Sequence, residues 1–337
     1  MNLRNNKQQI CFNNQFNLVK FNLTFLNKKA NYRKGNPTLS LGLSILLLGS
    51  SMMLPAKPLT AEAIAQSLPS LKPTQPQARE QLKQGLTYIQ QGKLPEAIAA
   101  FQQASQLDPQ LAPAHYNLGL ALRQVGKLQE AVDAFYRATE ADSQFALAFA
   151  NLGAALFEGN NLPQARASLT KALELEPNLG VAHYNYGLVL AKLGEIEPAI
   201  ASFKNALRFS PNAPEPAYHL GVIYLQQDNI EEAKKAFEQA IKISPRYPEA
   251  HYNLGSILFY QEELDAAIEA FRQATLANSN YANAYYAAGL VFMRQNRFSD
   301  AQQVLQYAKE LYQLQGNSEW VANAEQLLER ARNPYPQ

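Results

Sequence analysis

Cysteine is almost missing from this chain of 337 residues: Cys11 is the only one, so neither an internal disulfide nor a thiolate metal site can form. An oxidising compartment is harmless to such a protein, although the scarcity by itself names no compartment. There is no surplus of charge of one sign either, the formal net charge being +2. Charged residues make up 17% and apolar ones 47%, a balance that excludes a disordered chain. The charge is unevenly placed. The first 65 residues carry eight Lys or Arg and one acid, Glu62, which leaves 22 bases against 27 acids for the rest. That mildly acidic remainder excludes nucleic acid as the main partner, because phosphate binding needs a concentrated basic surface.

The signatures of catalysis are missing as well. No nucleophile elbow, phosphate-cradling glycine loop, HExxH helix or paired-carboxylate constellation occurs. His115, His183 and His251 stand 68 residues apart. In a stacked helical array that is four packing steps of roughly 8–10 Å each, whereas zinc needs its nitrogens at about 2 Å. They are read as core fillers. The chain is expected to be a non-enzyme without metal or cofactor, the alternative being a recruiting subunit whose catalytic chain is separate.

Only one long apolar run is present, Thr38 to Leu54, ended by Pro55. Ahead of it lie Arg4, Lys7, Lys20, Lys28, Lys29, Arg33 and Lys34 without an acid, and behind it the small residues Ala63 and Ala65. As a helix the run reaches about 25 Å at 1.5 Å per residue, short of the roughly 30 Å hydrocarbon core. Residues 1–65 are therefore expected to be a basic leader and export signal cleaved after Ala65. The alternatives are an uncleaved anchor formed by residues 38–54, which is the one membrane contact expected, and a leader without function. Either signal reading places the rest of the chain on the non-cytoplasmic side, in a periplasm or, in a photosynthetic source, a thylakoid lumen. Residues 66–77, with Pro69, Pro73 and Pro76, read as an extended linker.

Everything that follows obeys a period of 34 residues. Glycine recurs at Gly85, Gly119, Gly153, Gly187, Gly221, Gly255 and Gly289. Twelve residues after each stands an alanine, from Ala97 to Ala301. Four further on comes a bulky residue: Phe101, Phe135, Leu169, Phe203, Phe237, Phe271 or Leu305. Three beyond that is another alanine, from Ala104 to Ala308, and proline closes four of the repeats. The spacing predicts an apolar helical stripe of small residues that lets two helices approach closely. A glycine inside a helix costs about 1 kcal/mol against alanine, which makes sense if a bulky side chain sits over its bare Cα. Gly92, Gly126, Asn160, Gly194, Asp228, Glu262 and Asn296 hold the turn inside each pair, and all but Glu262 tolerate left-handed geometry. A helix hairpin that cannot cover its own stripe must stack on neighbours.

His115-Tyr-Asn-Leu-Gly119, together with Ala131, Phe135 and Ala138, resembles the tetratricopeptide repeat position by position. The resemblance implies an all-α solenoid over residues 78–315, a right-handed superhelix of seven hairpins, and a role in binding protein or peptide. Residues 316–333 read as a C-terminal capping helix, with Trp320 packed on the last repeat.

By the same resemblance, the residues three and two before each glycine face the concave groove. The first of these positions holds Tyr116, Tyr184, Tyr218, Tyr252 and Tyr286, and the second Asn117, Asn151, Asn185, His219 and Asn253. Amides suit the backbone of an extended peptide and tyrosine adds flat, amphipathic surface, so this ladder is the expected peptide-binding site. The superhelix of the protein O-GlcNAc transferases is similar in presenting asparagines. The competing reading makes Tyr-Asn a means of hydrogen-bonding adjacent repeats. Leu82 and Leu86 occupy the first positions of the carboxylate clamp, which argues against chaperone tails as partners. The role expected is a scaffold for assembly or export of an envelope complex, or, alternatively, a solenoid that associates with itself as a homo-oligomer.

Overall fold

The computed structural model describes residues 75–334. The basic leader, the apolar run, the cleavage position and residues 66–74 of the linker lie outside the described residues.

Among the described residues there are fifteen α-helices and no strands. The first helices of the seven pairs are α1 (Pro76–Gln90), α3 (Ala112–Gln124), α5 (Ala146–Glu158), α7 (Gly180–Lys192), α9 (Glu215–Gln226), α11 (Pro248–Tyr260) and α13 (Ala282–Arg294). Their partners are α2 (Leu94–Leu107), α4 (Leu128–Ala141), α6 (Leu162–Leu175), α8 (Ile196–Phe209), α10 (Ile230–Ile243), α12 (Leu264–Ala277) and α14 (Phe298–Leu314). The last helix, α15 (Ser318–Arg332), packs on α14. Each helix packs on the one before it and the one after, so the all-α solenoid expected from the repeat is the fold observed.

The sequence pattern explains the pairing. All seven bulky residues, Phe101 to Leu305, are fully buried, as are the alanines on either side of them. A Cβ placed on Gly119 would lie 2.7 Å from Phe135 Cδ1, and one on Gly255 would lie 2.8 Å from Phe271 Cε1. The missing side chain is the seat of the phenylalanine, and the packing gained there outweighs the helix-propensity cost.

The turn residues have left-handed backbones at all seven positions, with Gly194 at φ 80° and Asn160 at φ 58°. Glu262 adopts φ 62° as well, against the expectation from its side chain. Its carboxylate accepts two hydrogen bonds from the Arg294 guanidinium of the next repeat, at 3.1 and 3.3 Å, which partly offsets the strain. Gly316, at φ 71°, makes an eighth turn of the same kind before α15, which Asn317 caps by accepting from the Trp320 N–H.

Between pairs, Asp108, Asp142 and Asn278 each accept from the backbone N–H two residues on, at 2.9–3.0 Å. These Asx turns hold the corner whether proline follows or, as at Ser143 and Ser279, serine does. Polar braces repeat with the period too. Gln227, Gln261 and Gln295 reach back to Glu197, Glu231 and Asp265 on the preceding pair, at 2.8–3.0 Å.

Candidate functional site

The histidines behave as structure. His115, His183 and His251 each place Nε2 2.9–3.1 Å from the carbonyl of the closing proline six residues earlier, Pro109, Pro177 and Pro245. A carbonyl only accepts, so Nε2 carries the proton. Burial lowers the pKa of His115, which keeps the ring neutral. Among the described residues no group of three His, Cys, Asp or Glu could hold a metal ion.

The tyrosine row lies deeper than the groove reading expects. Tyr116, Tyr218, Tyr252 and Tyr286 are at most 5% exposed, so they are packing residues between helices and not open groove surface. What closes them is an aromatic residue 29 positions further on. Tyr116 meets Phe145 at 5.0 Å between ring centres, Tyr218 meets Tyr247 at 5.4 Å, and Tyr252 meets Tyr281 at 5.3 Å. Tyr286, in the last pair, is covered by Trp320 at 5.2 Å, edge on. At the equivalent place for Tyr184 stands Ala213, and Tyr184 stays half-buried.

The asparagine row divides in the same way. Asn117 and Asn253 are buried, whereas Asn151, Asn185 and His219 are half-buried. Asn117, Asn151 and Asn253 each donate to the carbonyl four residues earlier, at 2.7, 3.0 and 2.8 Å, so their amides are held in a fixed orientation. Two rungs also connect repeats: Asn151 Nδ2 donates to Tyr116 Oη, and Tyr184 Oη lies 3.3 Å from His219 Nε2. The first rung is the contact the cross-bracing reading of Tyr-Asn expects, and the second pairs tyrosine with histidine instead. Burial pushes the His219 pKa down to about 4, and its ring stacks on Phe203 at 5.5 Å.

The residues still reachable on this row therefore form one stretch, Asn151, Tyr184, Asn185 and His219, on α5, α7 and α9. Two ladder amide oxygens, Asn117 Oδ1 and Asn253 Oδ1, and the hydroxyl of Tyr247, which can donate as well as accept, are buried and have no hydrogen-bond partner among the described residues.

Beside the ladder stand two residues the sequence reading passed over. Glu215 and Glu249 open α9 and α11, each three residues before a ladder tyrosine. Both are half-buried, and burial raises the Glu249 pKa. The signal was available as Glu at one repeat position in two successive copies. It was overshadowed by the tyrosines.

Comparison with known proteins agrees with this architecture. Three family models described as TPR repeat or tetratricopeptide repeat match residues 85–126, 112–145, 187–228, 218–280 and 255–315, together more than half of the chain. A search of the curated proteins found no match. Among solved structures, a tetratricopeptide repeat protein from Parabacteroides merdae is 18% identical, with TM-score 0.56, covering 74% of this chain and 99% of its own. Pseudomonas aeruginosa pilF is 20% identical, with TM-score 0.54 and coverages of 61% and 94%. The APC/C hetero-tetramer Cut9–Hcn1 contains a chain 19% identical, with TM-score 0.57 and coverages of 91% and 59%. These likenesses establish the fold. With the family models and the repeat-by-repeat geometry, they show that the chain belongs to the tetratricopeptide-repeat family, whose arrays are protein–protein interaction scaffolds.

Proposed function

We propose that the protein captures an extended segment of a partner protein along the inner row of its first helices, and that it does no chemistry on it. The observation that carries this is the half-buried stretch Asn151, Tyr184, Asn185 and His219. Asn151 is held by the Leu147 carbonyl and the Tyr116 hydroxyl, and its Oδ1 remains to accept from a peptide N–H. Such a row reads main chain more than side chains, so it suits clients during assembly. The basic leader and apolar run ahead of it support a role on the exported side of a membrane, in assembly or export of an envelope complex. A mature species beginning at Gln66 in the soluble exported fraction is the result expected from intact mass. A full-length species in membranes would make it an anchored factor.

The double substitution N151A/N185A tests the groove. It should reduce crosslinking to native partners by about tenfold while the helical spectrum and melting temperature stay near those of the parent. Undiminished crosslinking would remove the groove from the account. A homo-oligomer is the second reading, favoured by Leu314 at 84% exposure and by the exposed Tyr307 on α14. Light scattering that gives one monomeric mass at every concentration would eliminate it.

A further inference from the structure

Along the open stretch the rungs are evenly placed but unequally held. Asn151, Asn185 and His219 occupy one repeat position on α5, α7 and α9. Helix α5 packs directly on α7, and Tyr184 Oη of α7 lies 3.3 Å from His219 Nε2 of α9, so these first helices are immediate neighbours. Successive rungs therefore stand about 8–10 Å apart, one helix-packing step. Asn151 has both amide N–H groups engaged, on the Leu147 carbonyl and the Tyr116 hydroxyl. Asn185 is different. Alone of the four ladder asparagines it is not held by the carbonyl four residues earlier, so its N–H groups and its oxygen are both available to a ligand, and it is half-buried.

A segment read through its main chain must return the same face to each rung. A strand does so every second residue, at about 6.6–6.8 Å, which falls short of the step. An α-helix uses its N–H and C=O groups on itself and has none to offer. A polyproline II helix has three residues per turn at about 3.1 Å each, so one face recurs at about 9.3 Å and the backbone groups stay free. Only this last conformation matches the rungs. Beside Asn185 stand Val181, 37% exposed, and Tyr184, half-buried; they are three residues apart on α7 and share one side of it. Charge is matched by its absence. The three rungs are neutral near pH 7, Glu158 on α5 pairs with Arg123, and Lys192 and Glu215 have interactions of their own. A charged segment finds no free counter-charge here, and an uncharged one needs none.

We propose that repeats three to five bind an uncharged, proline-rich segment of the partner in the polyproline II conformation, with every third residue facing a rung. The inference rests on the groove reading above and names the conformation and residue class of its ligand. Asn185 donates to a carbonyl of the segment and accepts from an N–H. Asn151 can only accept, so the residue opposite it keeps its N–H and is not proline. The prolines take another edge of the three-sided helix, where their rings meet Val181 and Tyr184, since proline-rich segments dock on aromatic surface. Tyr184 is the ladder ring left for this, because Tyr116, Tyr218, Tyr252 and Tyr286 each lie against an aromatic of the following repeat or of α15. Two packing steps, about 16–20 Å, take about six residues of such a segment. Its fixed backbone also loses little entropy on binding.

The test uses the full chain and three capped, uncharged dodecapeptides: one of Ala, Gln and Ser with proline at every third position, one of the same composition with the prolines two and four apart, and one alternating Thr and Val without proline. The first should bind about tenfold more tightly than the third, and the second should lose most of that advantage. Y184A should bring the ratio of first to third close to one, and A213F provides a second reading if circular dichroism shows that Y184A has not folded. N185A should weaken the first peptide about tenfold. If N151A/N185A abolishes crosslinking to native partners but the Thr-Val peptide binds as tightly as the first, the polyproline conformation is wrong and the groove stands. Unchanged binding to N185A, or a preference for proline that survives both Y184A and A213F, would overturn the assignment to these residues. If none of the three peptides binds, the inference falls and the crosslinking alone decides the groove. Competition by a peptide of residues 66–77, in which Pro73 and Pro76 stand three apart, at the strength of the first peptide would overturn the assignment to a partner by making the occupant the chain's own linker.

Discussion

Helix α3 and helix α7 hold the same place in repeats two and four, and both carry His-Tyr-Asn with the tyrosine three residues ahead of glycine. On α3 every residue from Ala112 to Leu122 is buried. On α7 only Gly180, Ala182, Gly187, Val189 and Leu190 are, and the His-Tyr-Asn segment is half-buried. The difference does not come from the shared motif. At the tyrosine it lies in a residue 29 positions further on: Phe145 covers the Tyr116 ring, whereas Ala213 stands at the equivalent place for Tyr184. An identical motif is thus packing material in one repeat and candidate contact surface in another.

The comparison implies that both repeats share one frame and differ only on the inner row. The frame predicts the largest effect. Phe135→Ala and Phe203→Ala should each destabilise by about 3–5 kcal/mol, read by urea unfolding, because both rings are fully buried over a glycine. A much smaller loss in repeat four than in repeat two would mean that the open inner row had loosened the frame itself.

His219 belongs to the open side and gives the next effect. Its pKa lies near 4, below the ordinary 6.5, so the unfolded chain takes up a proton between those values that the folded chain does not. The contribution of this group is therefore constant above about pH 6.5 and turns against the fold as the pH falls towards 4. A shift of that size corresponds to about 3 kcal/mol, and partial exposure of the ring to solvent brings it nearer 2. His219→Gln should flatten the stability profile over that window relative to the parent. Parallel profiles for the two proteins would show that the ring is hydrated in the folded state.

Ala213→Phe moves repeat four towards repeat two. A ring at this position should close over Tyr184 as Phe145 does over Tyr116, and partner capture should weaken by about tenfold, or 1.4 kcal/mol. If capture is unchanged while the protein becomes more stable, Tyr184 contributes to packing alone and the contact surface reduces to Asn151, Asn185 and His219.

Much of the molecule was legible beforehand because it depends on residues close in sequence or locked to the period. The phenylalanines over glycine and the hairpins follow from size and spacing. The depth of the tyrosine row was not legible from Tyr-Asn, because burial there depends on a residue 29 positions away that the motif does not contain. The sequence reads the histidines as core fillers; His115 and His251 are buried and His183 is half-buried, and their shared partner could have been found: in three of the four repeats closed by proline, a histidine follows six residues later. Glu215 and Glu249 were missed because an acid opening a helix is the commonest place for one, and only their partial burial sets these two apart.

The smallest effect concerns the turns, where the two halves of the solenoid also differ. Repeats one, two and four turn on glycine at Gly92, Gly126 and Gly194, whereas repeat six turns on Glu262. A residue with a Cβ costs about 1–2 kcal/mol in the left-handed region. Against that, the pair with Arg294 is solvent-exposed on both sides and returns between about 0 and 1 kcal/mol. Strain exceeds the ion pair, so Glu262→Gly should stabilise by about 0.5–1 kcal/mol, seen as a higher midpoint in urea with an unchanged slope. The same substitution at high salt, where the pair is already screened, should gain slightly more. A net loss would mean that the Arg294 contact holds repeats six and seven together more strongly than its exposure suggests, and that the C-terminal turns are fastened by charge where the N-terminal ones rely on glycine.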